Sequence, residues 1–335
     1  MNNTGLIITM AYPDTVVMVA DEWYSPLLQF IGVGKKNYVK AGHAALVLIN
    51  KISGHLEYHD FGRYITPEPN GRVRGSQTDH ELDFPLKAEI EGDTIKNLDS
   101  ILLYLANNPK KTHGDGKLIA SVCTKVNYQK ARDHIIKLMG NGSFRYAAFK
   151  KESSNCARFV TSTLIASITD KKILRSLKNS LLFTPSTVGN VVRADTQNQV
   201  FEVIGKSIFE FNSTVFRENF RCFLDKIPDH EYHILGTLMP KQVEGLSENA
   251  QWLSGIAAGA WFEISKSETY IEEHYRIRRV SPHGNVDVDG IYKVDCISFN
   301  LDEVFEFVHD SNCHYCHVVQ NKKRYKFEFI KKLAD

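Results

Sequence analysis

Apolar residues fall along this chain in two rhythms. Leu6-Ile7-Ile8-Thr9-Met10 and Thr15-Val16-Val17-Met18-Val19 are strand-forming runs separated by the turn chemistry of Tyr12-Pro13-Asp14. Ala44 through Ile49 is apolar without alternation, the pattern of a strand covered on both faces. Asn50-Lys51-Ile52-Ser53-Gly54 supplies a turn, and His55 to Tyr64 reads as the returning strand of a hairpin. Residues 66–80 hold two prolines, two glycines and two arginines and read as a surface or functional loop.

The period then lengthens. Leu98, Ile101, Leu102 and Leu105 predict a helix over 97–107 that stops before Pro109. Ala131, Ile135 and Leu138 predict a second over 128–139, and Phe159, Val160, Thr163 and Leu164 a third over 154–168. From about 206 the texture changes. An aromatic-rich stretch over 209–223 and a predicted helix over 244–253 are followed by strand-like runs at 260–264, 275–280, 291–294 and 325–330. His283-Gly284-Asn285 is a hairpin turn between two of these runs. The expected fold class is α+β: an antiparallel sheet with helices over 1–205, then a smaller β-rich domain over 206–335.

Composition narrows the function classes. Of 335 residues, 43% are hydrophobic, 24% charged and 11% aromatic, which suits a folded chain with a substantial core. Lys plus Arg (41) nearly balance Asp plus Glu (39), so no overall field recruits nucleic acid or anionic lipid. No apolar run reaches the roughly eighteen residues of a membrane span. Met1-Asn2-Asn3-Thr4 carries no positive charge, and Tyr12-Pro13-Asp14 breaks the apolar stretch that follows. A cytoplasmic location is therefore expected. Six cysteines (Cys123, Cys156, Cys222, Cys296, Cys313 and Cys316) are too sparse for a disulfide scaffold, which leaves their thiols chemically available.

One of them is well placed for chemistry. Ser153-Ser154-Asn155 precedes Cys156-Ala157-Arg158-Phe159-Val160, so an N-cap puts Cys156 in the first turn of a helix. Free backbone N–H groups and the positive end of the helix dipole favour a thiolate there. The same N–H groups can hold a developing oxyanion. The alternative is a small buried core residue. A thiolate nucleophile needs an imidazole, and His43 at the entrance of the apolar 44–49 strand is the best placed of thirteen histidines. The hairpin sets His43 opposite residues 59–61. Within that window Asp60 is the better orienting group, with His59 and the more distant His55 as alternatives.

These residues carry a resemblance. Gly42-His43 leading a strand, a polar position on the next strand, and Asn155-Cys156-Ala157-Arg158-Phe159-Val160 opening a helix resemble the circularly permuted papain-like hydrolases. That group is related to NlpC-type peptidases and to the lecithin retinol acyltransferases. Histidine precedes cysteine here, as it does in the permuted group. Tyr58-His59-Asp60-Phe61-Gly62-Arg63-Tyr64 and Gly71-Arg72-Val73-Arg74 are similar to a bacterial branch of it. The resemblance runs over roughly residues 6–200. It departs from the acyltransferase motif at Ala157-Arg158, where that family has Glu-His. It implies a permuted papain-like domain with Cys156 as nucleophile, His43 as base and a polar third residue, assigned to Asp60. The implied reaction is cleavage of an amide, peptide or N-acyl, through a thioester. The alternatives are a thioester-dependent acyltransferase and a non-catalytic binding protein on the same fold.

Tyr58, Arg63 and Arg74 are the substrate-binding candidates. With Arg72, these arginines could clamp a carboxylate or phosphate, or pair structurally with Asp79, Glu81 or Asp83. Cys313-His314-Tyr315-Cys316-His317 contains a haem-attachment or zinc-like spacing, but no second Cys-x-x-Cys completes a zinc site. It reads as a strand with packed thiols, and neither metal nor cofactor is expected. Lys322-Lys323-Arg324 reads as a hairpin edge carrying charge against aggregation rather than as an RNA site. Gly32-Val33-Gly34-Lys35-Lys36 lacks the spacing of a phosphate loop. The expected partner is a peptide or acyl-amide substrate, with no nucleic acid.

Overall fold

The computed structural model describes residues 3–18, 38–148, 150, 152–224, 240, 242–267 and 272–333. Val19 and Gly32–Lys36 lie outside them. The first strands are β1 (Gly5–Tyr12), β2 (Val16–Met18), β3 (Tyr38–Lys40), β4 (His43–Asn50), β5 (Leu56–Gly62) and β6 (Asn70–Arg74). Then come β7 (Ile90–Glu91), β8 (Thr94–Ile95), β9 (Leu118–Val126), β10 (Phe144–Arg145), β11 (Val200–Ile204) and β12 (Ser207–Glu210). The helices are α1 (Leu98–Ala106), α2 (Pro109–Thr112), α3 (Tyr128–Gly140), α4 (Cys156–Ser167), α5 (Lys171–Ser180), α6 (Thr187–Ala194) and α7 (Val215–Leu224). The C-terminal strands are β13 (Gln251–Leu253), β14 (Ala260–Lys266), β15 (His274–Val280), β16 (Val286–Val294), β17 (Glu306–Val308), β18 (Tyr315–Gln320) and β19 (Lys323–Lys332).

The protein is α+β, built on two antiparallel sheets. Eight strands run in the order β10-β6-β5-β4-β1-β9-β11-β12, and seven in the order β13-β14-β15-β16-β19-β18-β17. The hairpin β11–β12 straddles position 206, so the first sheet continues to Glu210. Both faces of that sheet are covered, as the unbroken apolar run of β4 implies. Leu6, Ile8, Met10, Ala45 and Val47 pack with Ile101, Leu102 and Leu105 of α1. On the other face Ile7, Ala44, Leu46 and Leu48 meet Ala131, Ile135, Phe159 and Leu164 of α3 and α4. The C-terminal sheet has its own core around Phe262, Ile277, Tyr292, Phe307 and Phe327.

Several elements differ from expectation. Within the supposed 66–80 loop lies β6, whose Arg72 and Arg74 are buried because carboxylates neutralise them. The Lys323–Lys332 strand does form a hairpin with β18, but it sits inside the sheet rather than at its edge. The predicted helix at 244–253 is replaced by turns and β13, where Trp252 packs edge-on against Trp261. Cys313 and Cys316 are both buried, and Cys316 lies in β18. No group able to hold a metal occurs among the described residues. No described helix is long and apolar enough to cross a membrane.

The two sheets are stitched together near β5. The Ile65 N–H donates to the Ala258 carbonyl at 2.7 Å and the Ala257 N–H to the Arg63 carbonyl at 3.0 Å. Gly255 allows this approach, since a Cβ there would overlap the Ala258 carbonyl oxygen and the Ile65 amide nitrogen. Gly255→Ala is accordingly expected to cost about 1–3 kcal/mol through forced overpacking, measured as a shifted denaturant midpoint.

Candidate active site

Strand register brings the polar residues together. β4 and β5 align Ala45 with Asp60, and β5 and β6 align Asp60 with Arg74. His43 opens β4 two residues before Ala45 and therefore shares its face, with Asp60 diagonally across. The pairing is diagonal where the sequence suggested direct opposition, and the two-residue offset preserves the face. His43 Nε2 donates to Asp60 Oδ2 at 3.1 Å, which leaves the other ring nitrogen for the sulfur. The alternatives fall elsewhere. His59 alternates to the opposite face and donates from Nδ1 to the Arg74 carbonyl, and His55 is exposed at the far end of the hairpin against Lys87.

Cys156 is the first residue of α4, and the Asn155 side chain caps that helix by accepting from Arg158 N–H at 2.8 Å. The sulfur hydrogen-bonds the His43 side chain and receives the amides of Ala44 and Ala157. Burial pushes its thiol up, yet the His43 contact, the His43 charge and those amides outweigh it, and the thiol is held below its ordinary range. Burial likewise opposes a charged His43. Its hydrogen bonds to Asp60 and Cys156, with their negative charges, win and lift it to about 9. Both shifts favour a thiolate–imidazolium pair.

Asp60 is fully buried and lies within reach of several donors. Besides His43, it accepts from the Tyr58 hydroxyl at 3.1 Å and the Tyr64 hydroxyl at 3.2 Å. Arg74 grips both its oxygens, at 3.0 and 2.7 Å. Burial raises this carboxyl, but Arg74 and His43 hold it well below the usual carboxylate range. The neighbouring His113, against the Tyr64 ring at 4.8 Å, is kept neutral by burial and by the Arg74 charge.

Two of the substrate-binding candidates are paired within the protein. Tyr58 and Arg74 are each only 1% exposed, and their polar groups serve Asp60 and the carbonyls of Thr112 and Lys111. Both side chains are thereby engaged in supporting the carboxylate. Arg63 does lie beside the site: its guanidinium covers the Tyr146 ring at 4.7 Å, donates to the Met18 carbonyl and feels the Cys156 charge. Tyr146 was missed. Its hydroxyl bonds the Cys156 sulfur and receives the Cys156 amide, and burial pushes that hydroxyl up. Nothing in the residues around Tyr146 signals this, because the contact depends on the bridge between Tyr146 and Ser154 that folds the chain back before α4.

The fold and site thus define an α+β protein with a buried Cys–His–Asp array at the meeting of a helix start and a strand start. Residues 7–173, which contain all three groups, match the family described as Type VI secretion system effector TseH-like. Residues 250–330 match a second family, the DUF6695 C-terminal domain. The crystal structure of the type VI secretion system effector TseH is similar at 16% identity and a TM-score of 0.39. The match covers 63% of this chain and 99% of that one. No curated protein matches.

Proposed function

We propose that this chain is a cysteine hydrolase of the permuted papain-like kind, which opens a peptide or N-acyl amide through a thioester on Cys156. The observation that carries this reading is the single imidazole bonded to both the Cys156 sulfur and the Asp60 carboxylate. The thiolate attacks the amide carbonyl, forming the S–C bond, and the oxygen takes up the charge. In this reading the Cys156 amide and the neighbouring Tyr146 hydroxyl are the donors offered to that oxygen. The His43 imidazolium gives its proton to the leaving nitrogen as the C–N bond breaks. Neutral His43 then removes a proton from water, the resulting hydroxide attacks the thioester, and the thiolate departs. Asp60 keeps the ring oriented and balances its charge throughout.

The family match supports a role as a type VI secretion system effector. In this reading the cytoplasm is where the chain is made, with its thiols reduced. The test is Cys156→Ala against a library of labelled peptides and N-acyl amides. No turnover above background is expected, and turnover equal to the parent protein would sink the proposal.

A further inference from the structure

We propose that Arg279, from the C-terminal sheet, is a positioning residue for the Cys156–His43–Asp60 site, because its guanidinium restrains the carboxylates that compete for the arginines supporting Asp60. This inference rests on the hydrolase reading of that site.

Arg279 lies on β15 and is 5% exposed. Its Nη1 is 2.9 Å from Asp79 Oδ1, its Nη2 3.3 Å from Glu81 Oε1 and its Nε 3.1 Å from Asp287 Oδ2. Two routes lead from there to Asp60. Asp79 grips Arg72 through two bonds of 2.6 Å, Arg72 Nε donates to the Tyr64 carbonyl at 2.9 Å, and the Tyr64 hydroxyl reaches Asp60. Glu81 stands 3.9 Å from Arg74 Nη1, and Arg74 holds Asp60. The backbone is tied at the same place, since the Cys313 N–H donates to the Thr78 carbonyl at 2.9 Å.

The charges explain why a residue this far from the sulfur matters. Three carboxylates converge on Arg279, two of which also face the arginines of β6. Remove the guanidinium, and Arg72 and Arg74 remain as the arginine partners of Asp79 and Glu81. Arg74 is then drawn from Asp60 toward Glu81, and uncompensated negative charge builds up beside the imidazole. The other ionisable neighbours are poor substitutes as cations. Burial and the Arg279 charge keep His80 neutral, and burial leaves the Cys313 thiol protonated 3.2 Å from Nη1. Added negative charge disfavours the Cys156 thiolate. Around that sulfur the other charged or titratable groups are His43, Arg63, Tyr64 and Tyr146, none of which touches Arg279.

The experiment measures the pH midpoint for iodoacetamide labelling of Cys156 in the full chain, read peptide by peptide by mass spectrometry. Cys296, which Lys323 and Ser298 hold at about 7, is the internal reference. Arg279→Met is expected to raise the Cys156 midpoint by about one pH unit and leave that of Cys296 unchanged. Adding Glu81→Gln should recover part of the shift. Arg279→Lys, which keeps the charge but not the fork, should give a smaller rise and remains informative if the methionine variant does not fold. A folded Arg279 variant with the parental Cys156 midpoint would overturn the proposal. A parent protein whose Cys156 labels like an ordinary thiol would instead overturn the hydrolase reading, so the two failures are distinguishable.

Discussion

Asp60→Ala is expected to be about 3–5 kcal/mol less stable than the parent protein and slower by about three to four orders of magnitude. The stability loss follows from what the carboxylate neutralises. Arg74 is buried with both prongs on Asp60, and without that partner it keeps the Lys111 carbonyl, the face of the Tyr64 ring and the distant Glu81, none of which neutralises it as closely. The Tyr58 and Tyr64 hydroxyls lose an acceptor as well. The loss of rate follows from His43, whose imidazolium would have no counter-charge and no fixed tautomer. Asp60→Asn separates the two effects, because it keeps an acceptor and the volume but not the charge. It should recover part of the stability and little of the rate. The acid side adds a signature. Asp60 titrates below its unfolded value, so its stabilisation is fully present above about pH 4 and fades as the pH falls. The parent protein should lose stability on acidification faster than the alanine variant. Urea unfolding and kcat/KM measured on the same preparations check both halves. Parental turnover in Asp60→Ala would remove the orienting role.

What the sequence made legible, and what it hid, divides along a physical line. Short-range patterns were informative: the apolar run of β4, the turn at 50–54, the spacing of α1 and α3, and the cap before Cys156 all act within a few residues. They were enough to bring His43, Asp60 and Cys156 forward as a set. Long-range compensation was not legible. β9 is a central strand, yet its Ser121 and Thr124 break the apolar run. They are tolerated because Ser121 Oγ donates to the Val191 carbonyl and Thr124 Oγ1 accepts from the Thr196 hydroxyl. β6 looked like a loop because its arginines find their carboxylates only after folding. For the same reason Tyr58 and Arg74 resembled ligand-binding groups. A charged side chain in sequence gives no sign of whether its partner will be a substrate or a buried carboxylate ten or more residues away.

His43→Ala is the substitution expected to cost most, on the order of 10⁵–10⁶-fold in turnover by analogy with removal of a triad histidine. Two losses combine in it. The first is nucleophile activation. An ordinary thiol is a few per cent thiolate near pH 7, whereas Cys156 is held below its ordinary range through contact with His43. Without the imidazole, burial dominates and the thiol rises, so labelling by iodoacetamide at neutral pH should fall by more than about tenfold. The second is the proton for the leaving amine, which no other described group at the sulfur can supply as readily. His113 sits behind Tyr64, and the Tyr146 hydroxyl is pushed up by burial. The pH dependence has a definite sign. His43 is raised to about 9 in the folded protein from an unfolded value near 6.5. Its stabilising contribution is therefore complete below about pH 6.5 and disappears as the pH rises through about 9. The gap in unfolding free energy between parent and His43→Ala should narrow on the alkaline side. In the parent protein, turnover should fall on that same limb as the imidazolium is lost, with the acid limb set by Cys156 below the range of a free thiol. A profile of kcat/KM whose alkaline limb survives His43→Ala unchanged would assign that limb, and the proton transfer with it, to another residue.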